Sequence, residues 1–140
     1  MKNPAPFCFV ALLLFGCAHS QPGHPRPFFP QLASPPPGLE EVWLTAAFEG
    51  TLVVADGCVK VRSLDGQLDT TVLWYQGIEL VRDNSGRSIQ NIHTGETARF
   101  NVPAKFGGGD ASDEHVQRNY PEVARRCGPP YAVGYPSDAP

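Results

Sequence analysis

Four side chains able to hold a cation or move a proton stand close together: Asp110, Asp113, Glu114 and His115, just after Gly107-Gly108-Gly109. Carboxylates beside an imidazole suit a divalent cation. A calcium loop, however, needs ligands at alternate positions and a later Glu, and this spacing supplies neither. A solvated loop entering a helix, capped by Asp110 or Ser112, accounts better for the run. His93 precedes the turn Thr94-Gly95 and could work with Asp69 or Glu96 as an acid–base pair. No serine stands in a nucleophile-elbow motif, so His93 reads as a turn residue. The triple glycine has no Lys-Ser or Lys-Thr after it, as a phosphate loop would, and reads as a flexible loop. Trp74 and Tyr75 could line a ligand or partner surface, where aromatic residues are favoured. With Asp110 they form the candidate binding surface. The sequence therefore predicts no catalytic residue, no metal site and no cofactor.

The N-terminus carries a different chemistry. Lys2 is the only charge before an apolar run from Phe7 to Phe15, which is too short to span a bilayer. The run closes on Leu12-Leu13-Leu14-Phe15-Gly16-Cys17, which resembles the lipobox of a bacterial lipoprotein. The resemblance implies a signal peptide over residues 1–16, cleavage after Gly16 and acylation of the Cys17 thiol. The alternative is an ordinary signal peptide cut nearby, with Cys17 incidental. Ala18 follows the cysteine where inner-membrane retention would have Asp, so the resemblance points to the outer membrane, facing the periplasm, if the host is Gram-negative. Residues 17–38 hold Pro22, Pro25, Pro27, Pro30, Pro35, Pro36 and Pro37 and read as an extended, disordered tether. Such a chain reaches up to ~60 Å at about 3.1 Å per residue. His19 and His24 fall within it. Phe28-Phe29 is its exception: a pair that docks on the domain or the membrane, or a solvated one.

About 100 residues remain, read as one small domain over 39–136 with a disordered tail over 137–140. The net charge of −3 and pI near 5.7 argue against a nucleic-acid partner. Once Cys8 leaves with the signal peptide and Cys17 is lipidated, Cys58 and Cys127 remain. In an oxidising envelope they read as a disulfide, against two free thiols or half of a metal site. Their wide separation and the absence of CxxC disfavour the metal.

The elements that must position these residues read as short strands. Phe48 to Ala55 is rich in β-branched and apolar residues, and Asp56-Gly57 signals a two-residue hairpin into Cys58 to Arg62. There Val59 and Val61 share one face, and Cys58 falls with Lys60 and Arg62 on the other, less buried one. Thr70 to Tyr75 is apolar on both faces, as a central strand would be. Ile78 to Arg82, Arg87 to His93 and Glu96 to Val102 follow between turns. Pro121 to Arg126 reads as a short helix stopped by Gly128, and Tyr131 to Gly134 as a last strand. The expected fold is mainly β: a five- or six-stranded antiparallel Greek-key barrel, OB-like in size, with a short C-terminal helix.

The run Gly50 to Val61 (GTLVVADGCVKV), Leu73-Trp74-Tyr75, the triple glycine and Cys127 to Gly134 (CGPPYAVG) resemble a small domain of uncharacterised bacterial envelope proteins. The likeness covers most of residues 47–134. Its motifs are structural, and it implies no activity. A non-catalytic binding or structural module of the envelope is the leading expectation, its partner an envelope protein or a small molecule. The alternatives are a small hydrolase or metal-dependent enzyme built on His93 and the Asp110 to His115 cluster, and a secreted inhibitor-like factor if Cys17 is not lipidated.

Overall fold

A computed structural model describes residues 25–138. The expected signal peptide, Cys17 with its acylation, and the end of the tail lie outside the described residues. Ten elements follow in order. They are β1 (Ala46–Ala55), β2 (Cys58–Arg62), β3 (Asp69–Trp74), β4 (Ile78–Asp83), β5 (Gly86–Asn91), β6 (Thr97–Arg99), β7 (Pro103–Ala111), α1 (Asp113–Asn119), α2 (Pro121–Cys127) and β8 (Tyr131–Pro136). Strands dominate, as expected, but they form two sheets. Five make a ring of pairings in the order β1-β2-β3-β8-β7, with β7 returning to β1. The other three make a separate sheet, β4-β5-β6. One ring pair, β3 with β8, is parallel, so the expected all-antiparallel pattern is corrected there.

The local reasons are plain in several places. Asp56 and Gly57 take positive φ (52° and 75°), which a two-residue hairpin turn requires, and Ala55 pairs directly with Cys58. Pro121 opens α2, where a missing amide hydrogen costs nothing, and Gly128 caps its end at φ 68°. The third strand is buried on both sides. Val72 and Trp74 join a core inside the ring with Leu52, Val59, Val61 and Phe106. Leu73 faces outward and is covered by Val116 and Val123 of the two helices. The face that Cys58 shares with Lys60 and Arg62 is the less buried of the two, as expected, but only at its end: Cys58 and Lys60 are 1% and 4% exposed, whereas Arg62 is exposed.

The tether differs most from expectation. Hydrogen-bonded pairing between β2 and β3 covers only Lys60–Arg62 and Asp69–Thr71. Beyond it, residues 28–32 run between the start of one strand and the end of the other. The Phe28 amide donates to the Gly57 carbonyl at 2.8 Å, and Val59 donates back to the Phe28 carbonyl at 2.9 Å. On the other side Trp74 donates to Pro30 at 3.0 Å and Leu32 donates to Trp74 at 2.9 Å. Phe29 stacks on Trp74 with ring centroids 5.9 Å apart, while Phe28 packs on the helical side beneath the Arg126 guanidinium, 4.0 Å from its ring. Pro30 is fully buried. Proline removes one donor but leaves a carbonyl, and here that carbonyl serves a strand edge. From Pro27 to Leu32 the expected tether is part of the domain.

The disulfide joins Cys58 to Cys127, with Cα atoms 5.8 Å apart, and ties the first hairpin to the end of α2. The bridge closes 69 residues of chain. Chain-entropy reasoning gives such a crosslink about 4 kcal/mol, a large part of the ~5–15 kcal/mol that holds a small domain together. Cys58→Ala with Cys127→Ala should therefore lower the unfolding free energy by roughly that amount in denaturant melts followed by circular dichroism. Coincident melts of variant and wild type would contradict it.

Candidate functional site

Trp74 and Tyr75 are not a surface. They are 0% and 2% exposed, which corrects the expected binding role. The cause is the covering of the chain on both sides at the end of β3. Trp74 sits against Phe29 and, tilted, against Phe106 at 5.8 Å. Its indole nitrogen is buried with no hydrogen-bond partner among the described residues, so the side chain serves as apolar filling. Tyr75 lies under Trp43, stacked at 4.4 Å, with Tyr135 edge-on at 5.8 Å. Its hydroxyl donates to the Val42 carbonyl at 3.2 Å and accepts from the Leu44 amide at 2.9 Å. Burial pushes this phenol's pKa upward; the Leu44 amide opposes the shift, and nearby Glu41 and Tyr135 add to it.

Tyr75 thus anchors a strap, residues 39–44, which carries apolar side chains at the surface. Leu39 is 64% exposed, Val42 77%, Leu44 42% and Trp43 36%. The triple glycine is part of the seat of this strap, which corrects its expected role as a flexible loop: it lies within β7. A Cβ on Gly107 would fall 2.2 Å from the Tyr135 ring, one on Gly108 1.9 Å from the Val133 carbonyl oxygen, and one on Gly109 3.0 Å from Leu44 Cδ1. Absent side chains let β8 and the strap approach. A contiguous run of exposed apolar residues is the kind of surface that marks a contact site. Sequence reading passed over Val42-Trp43-Leu44, although an apolar run between prolines and the first strand was a usable signal.

The polar candidates are dispersed. Asp110 is exposed on β7, paired in register with Ala132, and among the described residues no hydrogen bond or ring contact joins it to Trp74 or Tyr75. Ser112, not Asp110, caps α1, accepting from the His115 amide at 3.3 Å. Within α1, Glu114 pairs with Arg118, and His115 Nδ1 lies 3.2 Å from the Asn119 side-chain amide. Asp69 is held by Arg62 through two contacts of 2.7 and 2.8 Å, which keep its carboxyl below the usual carboxylate range. Glu96 accepts from Thr94 Oγ1 at 2.7 Å and from the Asp138 amide at 3.2 Å. Neither carboxylate is therefore spare for His93, which is exposed on the turn after β5. Among the described residues no three of His, Cys, Asp and Glu gather as a metal site, and no helix is long and apolar enough to cross a membrane. No family model, curated protein or solved structure matches this chain.

Two outcomes follow from this geometry. Burial also raises the pKa of Tyr131, with Asp113 adding to it. A phenol whose folded pKa is raised contributes stability that is complete below its unfolded value of about 10 and is lost as pH rises through the folded value. Urea melts should show stability falling above pH ~10, and Tyr75→Phe should shrink that fall; an unchanged slope would contradict the assignment. Gly108→Ala forces a carbon into the β8 backbone and should cost more than about 3 kcal/mol, whereas Asp110→Ala should stay within about 0.5 kcal/mol. Thermal melts of the two variants decide between them.

Proposed function

We propose that the protein is a lipid-anchored module of the bacterial cell envelope that acts by contact, built on an OB-like Greek-key barrel. The order β7-β1-β2-β3, three consecutive strands with a fourth returning beside the first, supports the Greek key. The sheet β4-β5-β6 fills the connection between β3 and β7. The disulfide supports an oxidising compartment, and Gly16-Cys17 after the apolar run supports acylation. With Pro27 seated on the domain, about ten residues separate it from Cys17, so the body stays within about 36 Å of its anchor at ~3.6 Å per residue.

The observation that carries the contact reading is the strap: exposed Val42, Trp43 and Leu44 are held in place by the buried Tyr75 hydroxyl. Trp43 rests one ring face on Tyr75 and Leu44 packs over Gly109, and both still leave apolar surface exposed beside Val42, which is 77% exposed. The partner is an apolar surface of another envelope component. The dispersal of His93, Asp113 and His115 favours this over an acid–base or metal chemistry.

Two arms test the reading. The mature protein should partition into detergent, and Cys17→Ser should leave an unprocessed, unacylated precursor; a water-soluble mature form with a free N-terminus would refute the anchor. Val42→Ser with Trp43→Ala should reproduce whatever envelope phenotype deletion of the protein causes, while His93→Ala with Asp113→Ala and His115→Ala should complement the deletion as the wild type does. The reverse pattern, in variants that fold and localise, would refute the contact reading.

A further inference from the structure

Three arginines meet where the chain enters the domain. A cavity of about 310 Å³ is lined by Arg26, Pro27, Leu80, Val81, Arg82 and Arg87. Among the described residues no carboxylate lines it, in a protein whose net charge is −3. Arg82 and Arg87 stand directly opposite each other on β4 and β5. Like charges in that position repel and destabilise a strand pair. Among the described residues none of Arg26, Arg82 and Arg87 takes part in an ion pair, although Arg62, Arg118 and Arg126 each do. The nearest carboxylate along the strand, Asp83, points to the opposite face of β4 and accepts from the amide and hydroxyl of Ser85. An adjoining cavity of about 620 Å³ shares Arg26 and adds Arg126, with one carboxylate, Glu79.

A trio of unpaired guanidinium groups around one concavity suits a compact group with several acceptor oxygens. Arginine presents planar, forked donors that match phosphate, and its charge does not titrate away. The position selects the source. Arg26 is covalently next to Pro27, the first residue seated on the body, and about nine residues from Cys17. A domain held that close to a bilayer presents its chain-entry side to the lipid surface.

We propose that Arg26, Arg82 and Arg87 form a site for the phosphate of an anionic phospholipid headgroup in the membrane that carries the anchor. This rests on the anchored reading for its setting, but not for its test. The site would orient the domain, laying the chain-entry side on the bilayer.

The test uses the full chain carrying Cys17→Ser, so that no acyl group contributes, in flotation with vesicles of phosphatidylglycerol and phosphatidylcholine or of phosphatidylcholine alone. Insertion of the apolar residues 7–15 is common to both vesicles and cancels in the ratio. Each arginine near an anionic surface is worth roughly five-fold in affinity. Arg82→Gln with Arg87→Gln should therefore bind the anionic vesicles about 25-fold more weakly, with binding to phosphatidylcholine unchanged. Arg26→Gln lies outside any strand and should give about five-fold by itself without touching the sheet. Equal binding of the two vesicles by the parent chain, or an anionic preference that survives all three substitutions, overturns the proposal. So does saturable binding of inorganic phosphate without any preference for anionic vesicles, which would assign the site to a soluble ligand. If the mature protein proves water-soluble, the anchor fails while the vesicle result stands by itself.

Discussion

The fold depends on how the gap between β2 and β3 is filled. These strands part after three paired residues, which leaves backbone groups of Gly57, Val59 and Trp74 without neighbours from each other's strand. A buried amide or carbonyl without a partner costs about 1–3 kcal/mol. Residues 28–32 satisfy four such bonds and place one phenylalanine in each of the two cores. The ring interior and the helical layer are thus joined through a piece of chain that belongs to neither. The disulfide, the Arg126–Phe28 contact and the Thr71 hydroxyl, which donates to the Gly128 carbonyl at 2.7 Å, all converge on this corner.

The same economy of space recurs around β7. Strands normally pack through their side chains, yet three successive positions here have none. The Tyr135 ring, the Val133 carbonyl and Leu44 occupy the room that side chains would take. A Gly-rich strand has little intrinsic stability, since glycine loses the most freedom on ordering. It is held instead by neighbours on both sides, β1 and β8, so its order is a property of the ring.

This explains what could be read from the sequence. The hairpin at Asp56-Gly57, the strand of alternating Val59 and Val61, the doubly apolar β3, and α2 between Pro121 and Gly128 each carry a local signal, and each stands where expected. The cysteine pairing was legible by elimination. β7 was not, because Lys105-Phe106-Gly107-Gly108-Gly109 has no period and its pairing is non-local. Nor was the docking of residues 27–32, since prolines mark a chain as irregular without saying whether it lies on something. Trp74 and Tyr75 were misplaced for a related reason. Strand periodicity tells which residues share a face, but not that a distant segment will cover the second face.

The Cys58–Cys127 bridge also has a mechanical consequence. A pull between the two ends of the domain passes from the Phe28 hydrogen bonds into β2 and then crosses the bridge to β8, bypassing the chain between. Those 69 residues, worth roughly 240 Å of contour at about 3.5 Å each, cannot be drawn out while the bond is intact. Under load the stretch between the two cysteines stays closed, and only the chain on either side of it, β1 and β8 included, can be drawn out.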